Sequence, residues 1–212
     1  MLERGRAGAR RRRAGAVGLF TFAAVGAAAL MQGCCCGRSG KGAQFSEAVE
    51  GVNVFMEPAQ SKAIKRVAVL PFKAPTELIG LSIADMFVTD VLKYNVYELV
   101  ERGQIAKVLS ETELALSGIS NARAMEVGQM TGADGVIIGT VSEYEAVAYK
   151  GNKYPSVGIS VRLIDSQTGK IVWSADYAER SKEKAASMSE HARRVVHAIC
   201  STLYQKGLRR KK

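Results

Sequence analysis

The stretch Arg66-Val67-Ala68-Val69-Leu70-Pro71-Phe72 decides the fold. It is a short apolar run closed by a proline, which is typical of a buried strand rather than a helix. Alternate positions of a strand point to opposite faces, and here both sets of positions are apolar. Both faces of the strand should therefore be covered, as in the middle of an α/β sheet. Pro71 has no backbone N–H, so we expect the chain to leave the sheet near Phe72.

The segments that follow predict helices and strands in alternation. An apolar pattern indicates a helix over residues 78–92, and a capping box offers a later start at Ser82. Asn95 suits a left-handed C-cap. Further helices are predicted over residues 104–116 and 121–130, and strands over residues 96–100 and 136–149.

The second half changes in pattern. Residues 157–163 and 171–177 alternate between apolar and polar, which indicates half-buried strands joined by a turn at residues 165–169. A final amphipathic helix is predicted over residues 181–208. The sequence therefore predicts one compact α/β domain, residues 64–208, with a mixed sheet flanked by helices. Its first half is of βαβ type, and an antiparallel meander plus a helix follows.

Residues 1–33 have the layout of a secretory signal peptide. Six arginines precede an uncharged apolar run over residues 14–31, and Gly33-Cys34 follows at once. An apolar run of about 18 residues is also long enough for an uncleaved membrane helix, which is the competing interpretation. Leu30-Met31-Gln32-Gly33-Cys34 resembles a bacterial lipobox, which implies lipidation of Cys34 by fatty acyl chains such as palmitate. Cys35 at the next position resembles the outer-membrane class of lipoproteins.

These features divide the chain into four parts. They are the signal peptide (1–33), a lipidated cysteine with a flexible tether (34–63), the α/β domain (64–208) and a basic tail (209–212). The sequence leaves open whether residues 45–56 add an edge strand or pack onto the domain. The signal peptide carries half of the formal net charge of +10. The overall charge therefore overstates any affinity for nucleic acid, and we expect no nucleic-acid partner.

No catalytic or cofactor signature is present. The sequence lacks the glycine-rich phosphate-binding motifs and the nucleophile elbow. Cys34, Cys35 and Cys36 are adjacent, which is not the spacing of a zinc site, and Cys200 suits a buried position. His191 and His197 lie six residues apart, so we expect surface positions and no shared metal. We predict no enzyme, metal or cofactor; a glycan hydrolase would need a pair of carboxylates in one cleft.

Two groups of residues are candidates for contacts with other proteins. Glu101 and Arg102 follow a predicted strand, where a structural salt bridge or a subunit contact is expected. Tyr144, Tyr149 and Tyr154 lie around the predicted meander. Cross-strand packing is the default for them, but exposed tyrosines there would suit a protein partner.

Several segments resemble the CsgG family of envelope lipoproteins, which includes curli-secretion subunits, HfaB-type holdfast proteins and the LpoB activators. The resemblance covers most of residues 66–175 and implies a compact α/β domain with a mixed sheet. The matching segments occur in family order: VAVLPF (67–72), SIADMF (82–87), VERGQIAKVLSE (100–111), GADGVIIGTV (132–141) and VRLIDSQTGKIV (161–172).

One departure from the family concerns the two membrane-spanning hairpins of CsgG channels. A spanning strand needs about 9–11 residues. The connection over residues 148–156 has nine residues in all, is charged at Lys150 and Lys153, and is expected to be broken by Gly151 and Pro155. We therefore expect no pore of the curli type and a closer likeness to the LpoB branch.

The resemblance implies a function in the envelope. We expect a periplasm-facing adaptor, held at the outer membrane by its lipid, that binds an envelope protein such as a peptidoglycan synthase. The alternative is a ring-forming outer-membrane secretion component of CsgG type, and homo-oligomer formation is left open.

Overall fold

The computed structural model describes residues 49–109, 119–183 and 187–208. These residues belong to one compact unit that spans residues 43–212. The predicted signal peptide, Cys34 and the basic tail lie outside the described residues. No helix among the described residues is both long enough and apolar enough to cross a membrane.

A six-stranded mixed sheet forms the centre of the domain. Its strands are β1 (Asn53–Met56), β2 (Arg66–Val69), β3 (Glu98–Leu99), β4 (Gly135–Tyr149), β5 (Asn152–Asp165) and β6 (Ile171–Arg180). The spatial order is β1-β6-β5-β4-β2-β3. β2 is parallel to β3 and β4, whereas β4, β5, β6 and β1 pair antiparallel in turn. This arrangement confirms the predicted fold class.

Five helices of the described residues flank the sheet, namely α1 (Pro58–Ala63), α2 (Glu77–Tyr94), α3 (Arg102–Val108), α4 (Asn121–Thr131) and α5 (Met188–Leu203). A π-helical turn (Tyr204–Leu208) follows α5. The Thr76 hydroxyl accepts a hydrogen bond from the Ile79 N–H, so α2 starts before the capping box at Ser82. Asn95 has φ 48° and ψ 44°, which confirms the left-handed C-cap.

The strand β2 is buried on both faces, as predicted. Val67 packs in the core under α2 and α5, whereas Ala68 and Leu70 pack in a second core under α3 and α4. Past Val69 the chain keeps bonding to β4, since the Leu70 N–H donates to the Ile137 carbonyl at 3.0 Å. We call the two sides of the sheet the α2/α5 face and the α3/α4 face.

The two faces are covered to different extents. On the α2/α5 face the core extends across the whole sheet to β6. On the α3/α4 face the second core involves chiefly β2, β4 and the C-terminal end of β5. Ser160 and Arg162 of β5 and Asp176 of β6 are exposed on this side. Part of one sheet face is therefore open to solvent.

The domain begins earlier than the sequence indicated. Residues 53–63, assigned above to the tether, form β1 and α1, and β1 pairs with β6 as an edge strand. The Val49 N–H donates to the Thr202 hydroxyl at 3.0 Å, and the Glu57 N–H donates to the Val172 carbonyl at 2.9 Å. Of the two alternatives left open for residues 45–56, residues 53–56 adopt the first, because they add an edge strand to the sheet.

Two helix ends also differ from the prediction. The helix predicted over residues 104–116 ends at Val108, because Leu109 is extended with φ −93° and ψ 131°; residues 110–118 lie outside the described part. The last helix begins at Met188, whereas Ser181 directly follows β6. Its apolar face packs on the sheet as predicted.

Candidate interaction surfaces

The hairpin of β4 and β5 extends beyond its neighbours. Its turn is only Lys150-Gly151, with φ 47° and 75°, as expected for a two-residue hairpin turn with left-handed central residues. The strands are thus interrupted at Gly151 as predicted, but the break expected at Pro155 is wrong, because β5 continues through that residue. β6 pairs with β5 only as far as Ser156, opposite Arg180. Beyond that point residues 146–155 form a two-stranded projection, which we call the ribbon.

The ribbon brings two of the three predicted tyrosines together. Tyr149 is 55% exposed, and its ring centroid lies 6.5 Å from that of Tyr154 in an edge arrangement. The Lys150 Nζ lies 5.3 Å from the Tyr149 ring centroid. Tyr144 lies nearer the sheet, where it packs against the main core. The tip is thus an aromatic and cationic surface, a composition suited to protein contacts.

Glu101 and Arg102 lie elsewhere, at the start of α3. An Arg102 Nη1 is 3.3 Å from an Asp85 carboxylate oxygen, and both side chains are about half exposed. This exposed ion pair links α3 to α2 but contributes little to stability. It borders an apolar groove of about 320 Å³ between the two helices. We call this the α2 groove; its apolar lining includes Leu81, Val88, Leu92, Leu99 and Ile105.

The outer side of α2 carries apolar residues that the sequence analysis missed. Leu78 is 77% exposed and Leu92 is 55% exposed. Positions 78, 81, 85, 88 and 92 alternate in steps of three and four, which is the spacing of a helix–helix seam. The apolar pattern described above for residues 78–92 predicts one buried face and no second apolar stripe. That heptad spacing is the signal that could have found the groove.

Buried titratable groups join α2 to α5 on the inner side. Asp90 is buried, and the His197 Nδ1 lies 3.0 Å from its carboxylate. Cys200 is buried as predicted, and burial raises its thiol pKa well above the usual value. Burial likewise raises the pKa of Tyr94 to about 12. Asp90, Cys200 and Tyr94 are buried, whereas the His197 side chain lies at the rim with 44% exposure, and we assign all four a structural role.

The expected surface position of His191 is wrong. Its side chain is buried, and its Nε2 donates to the Glu179 carbonyl at 2.8 Å. The contact ties the first turn of α5 to the end of β6. Within the part of the chain that the structure describes, no three His, Cys, Asp or Glu side chains are grouped for metal binding.

Comparison with known proteins agrees with this architecture. The structure is similar to the PelC dodecamer from Paraburkholderia phytofirmans, with a TM-score of 0.53 and 23% identity over 72% of this chain and 96% of that chain. Lipoprotein GNA1162 from Neisseria meningitidis matches with a TM-score of 0.49 and 20% identity over 63% of this chain and 94% of that chain. The LpoB C-terminal domain from Salmonella enterica matches with a TM-score of 0.43 and 17% identity over 55% of this chain and 83% of that chain. No individual curated protein matches the sequence at a significant level.

A family model identifies the chain more directly. The model described as "Curli production assembly/transport component CsgG" matches residues 52–199. The match starts just before β1 and ends within α5, so it takes in the whole sheet and four of the five helices in full. It also includes the ribbon and the α2 groove. The chain therefore belongs to the CsgG family of curli production assembly and transport components.

Proposed function

We propose that this chain is a non-enzymatic, lipid-anchored adaptor or assembly protein of the bacterial envelope, facing the periplasm from the outer membrane. It binds a protein partner through the ribbon. The observation that carries the proposal is the contact between the exposed Tyr149 and the half-buried Tyr154 at the tip of a projecting hairpin. Lipidation of Cys34 supplies the membrane anchor.

The ribbon suits a partner-binding role for two physical reasons. The Pro155 carbonyl still accepts a hydrogen bond from the Ser181 N–H at 2.8 Å, but nearer the tip no other described strand pairs with the ribbon. Backbone N–H and C=O groups there are available for β-augmentation by an extended segment. Its tyrosines offer large contact areas with few rotatable bonds, so little conformational entropy is lost on binding. Lys150 and Lys153 add positive charge, which favours an acidic surface on the partner.

Two classes of partner are consistent with the family resemblance. One is a peptidoglycan synthase, by resemblance to the LpoB activators. The other is an outer-membrane export machine, by resemblance to the secretion subunits. The two classes are distinguished by identifying the protein that is crosslinked to the ribbon.

We expect a photo-crosslinking residue at Tyr149 to capture one envelope protein in living cells. The matched control is the same residue at Lys170, which is exposed in the turn after β5. Because β5 has 14 residues, the two positions lie roughly 45 Å apart along the strand. Mass spectrometry of the adduct identifies the partner. Identical adducts from both positions, or none from Tyr149, would contradict the proposal.

A second candidate function, a ring-forming secretion component, is favoured by the α2 groove. Leu92 lines this groove and Leu78 lies on the same helix outside it. Both are exposed apolar side chains that suit a contact between copies, because burying them removes apolar surface from water. The similar PelC structure is described as a dodecamer. In this proposal the groove of one copy receives a surface of the next.

The double variant Leu78→Glu, Leu92→Glu is expected to lower the native mass of the detergent-extracted protein to that of one chain. Light scattering measures this mass directly. Met130→Glu serves as the control, because Met130 is an exposed apolar residue on α4, away from the groove. If the wild-type chain is already monomeric, the ring proposal is contradicted and the adaptor function is favoured.

A further inference from the structure

The α3/α4 face of the sheet contains a pocket that the proposed function does not use. It has a volume of about 310 Å³, and its polar lining is formed by Lys73, Thr140, Ser160 and Arg162. Pro71, Ile119 and Ile138 supply its apolar part. We propose that this pocket, called the sheet pocket below, binds an anionic sugar, that is, a sugar ring carrying a carboxylate or a phosphate.

Strand register places the four polar side chains on one face. Lys73 forms a parallel bridge with Thr140, and Thr140 lies opposite Ser160 in the antiparallel pair of β4 and β5. Residues opposite one another in a ladder point to the same side. Arg162 lies two residues beyond Ser160 and opposite Ile138, so it shares that side. Three adjacent backbone segments thus present a row of two hydroxyls between two cations.

The spacing of Lys73 and Arg162 allows both side chains to reach the same anionic group of a ligand. Neighbouring strands lie about 4.8 Å apart, and residues two apart on a strand lie about 6.7 Å apart, so the Cα atoms of Lys73 and Arg162 are separated by roughly 12 Å. Lysine and arginine side chains extend far enough to converge over Thr140 and Ser160. Because the backbone around them is paired in the sheet, the site is largely formed before a ligand arrives.

Within the described part of the chain, both cations are available to bind an anion. Neither the Lys73 nor the Arg162 side chain makes an ion pair or hydrogen bond with another described residue. The nearest acid in the ladder is Asp176, directly opposite Ser160 on β6. Its carboxylate accepts a hydrogen bond from the Asn53 Nδ2 at 3.0 Å, on the side away from Lys73. No carboxylate among the residues that the structure describes therefore forms an ion pair with either cation of the sheet pocket.

The remaining groups suit a sugar ring. Arginine binds carboxylate and phosphate in a bidentate fork, and such charge-assisted hydrogen bonds are about twice as strong as neutral ones. The hydroxyls of Thr140 and Ser160 both donate and accept, as sugar hydroxyls require. Ile119, Ile138 and Pro71 offer apolar surface for the C–H face of the ring. The volume lies at the lower end of the usual range for small-molecule sites, which matches one or two sugar units.

Calorimetric titration of the full chain in non-ionic detergent tests this inference. The probes are glucuronate, glucose 6-phosphate, neutral glucose and inorganic phosphate. We expect at least one anionic sugar to bind at least tenfold more tightly than glucose and inorganic phosphate, with an affinity that falls as salt is added. Arg162→Gln and Lys73→Gln should each weaken binding at least tenfold, whereas Arg162→Lys should retain part of it.

The controls distinguish binding in the sheet pocket from nonspecific attraction to the positive charge of the protein. Lys170→Gln removes an exposed cation outside the sheet pocket and should leave binding unchanged, and each variant should keep the wild-type melting temperature. If neither glucuronate nor glucose 6-phosphate bound more tightly than both glucose and inorganic phosphate, the assignment to an anionic sugar would be overturned. Absence of binding, or unchanged binding in Arg162→Gln, would overturn the site itself. Crosslinking through Tyr149 does not depend on these residues, so the proposed function stands or fails separately.

Discussion

A chain that begins at Ile64 is expected to be much less stable than one that begins at Val49. The shorter chain lacks β1 and α1, although the sequence pattern places the domain boundary there. Val52 is buried, and Val54 and Met56 pack against the main core. Since a fully buried side chain of this size contributes about 1.5–3 kcal/mol, the loss should be roughly 3–6 kcal/mol. That is a large share of the 5–15 kcal/mol of a typical domain.

Urea denaturation followed by circular dichroism measures the difference. The chain from Val49 retains the pairing of β1 with β6, including Val54 opposite Ala175. The chain from Ile64 leaves that edge of β6 without a partner, so aggregation should accompany the lower midpoint. Equal denaturation midpoints for the two chains would show that β1 and α1 do not stabilise the domain.

The sequence could not assign β1, because the evidence for it is not local. The strand has only four residues, and its burial alternates between exposed and half-buried. Its partner Asp176 lies 123 positions away from Asn53. Neither residue predicts the other without knowledge of the sheet order. A short edge strand next to a glycine-rich segment therefore looked like part of the tether.

Elements with strong local signals were predicted well. The buried strand β2 shows continuous apolar character, and α2 and α4 end at Asn95 and Gly132, both left-handed in the structure. The meander of β4, β5 and β6 follows from alternation of apolar and polar residues. In each case the periodicity or the capping residue acts within a few positions of the element that it specifies.

The candidate surfaces were predicted only in part. Tyr149 and Tyr154 lie together in the structure, but their contact with a partner stays a prediction. Gly151 and Pro155 were both expected to break the strands. Pro155 is in fact accommodated within β5, opposite Ala146. The α2 groove arises where α2, α3 and the end of β3 meet, and no single segment encodes it. The sheet pocket likewise depends on the register of three segments that are distant in the sequence.

Gly80→Ala is expected to destabilise the protein although alanine favours helices. A Cβ built on Gly80 lies 2.0 Å from the Phe72 carbonyl oxygen, which is backbone and cannot turn away. Phe72 itself is fixed, because its buried ring packs against Phe87 at 5.7 Å between centroids and lies close to Gly139. α2 must therefore move outward. The overpacking should cost about 3 kcal/mol, which exceeds the helix-propensity gain of roughly 1 kcal/mol.

The matched control is Gly103→Ala in α3. There the added Cβ approaches only the Glu101 carboxylate, the mobile end of an exposed side chain. Helix propensity then dominates, and we expect a small gain in stability, so the two substitutions differ in sign. Thermal melting and urea titration measure both. A Gly80→Ala chain as stable as the wild type would mean that α2 is not held against the Pro71-Phe72 backbone. If α2 does move, the α2 groove changes shape, and any contact between copies through Leu78 and Leu92 should weaken with it.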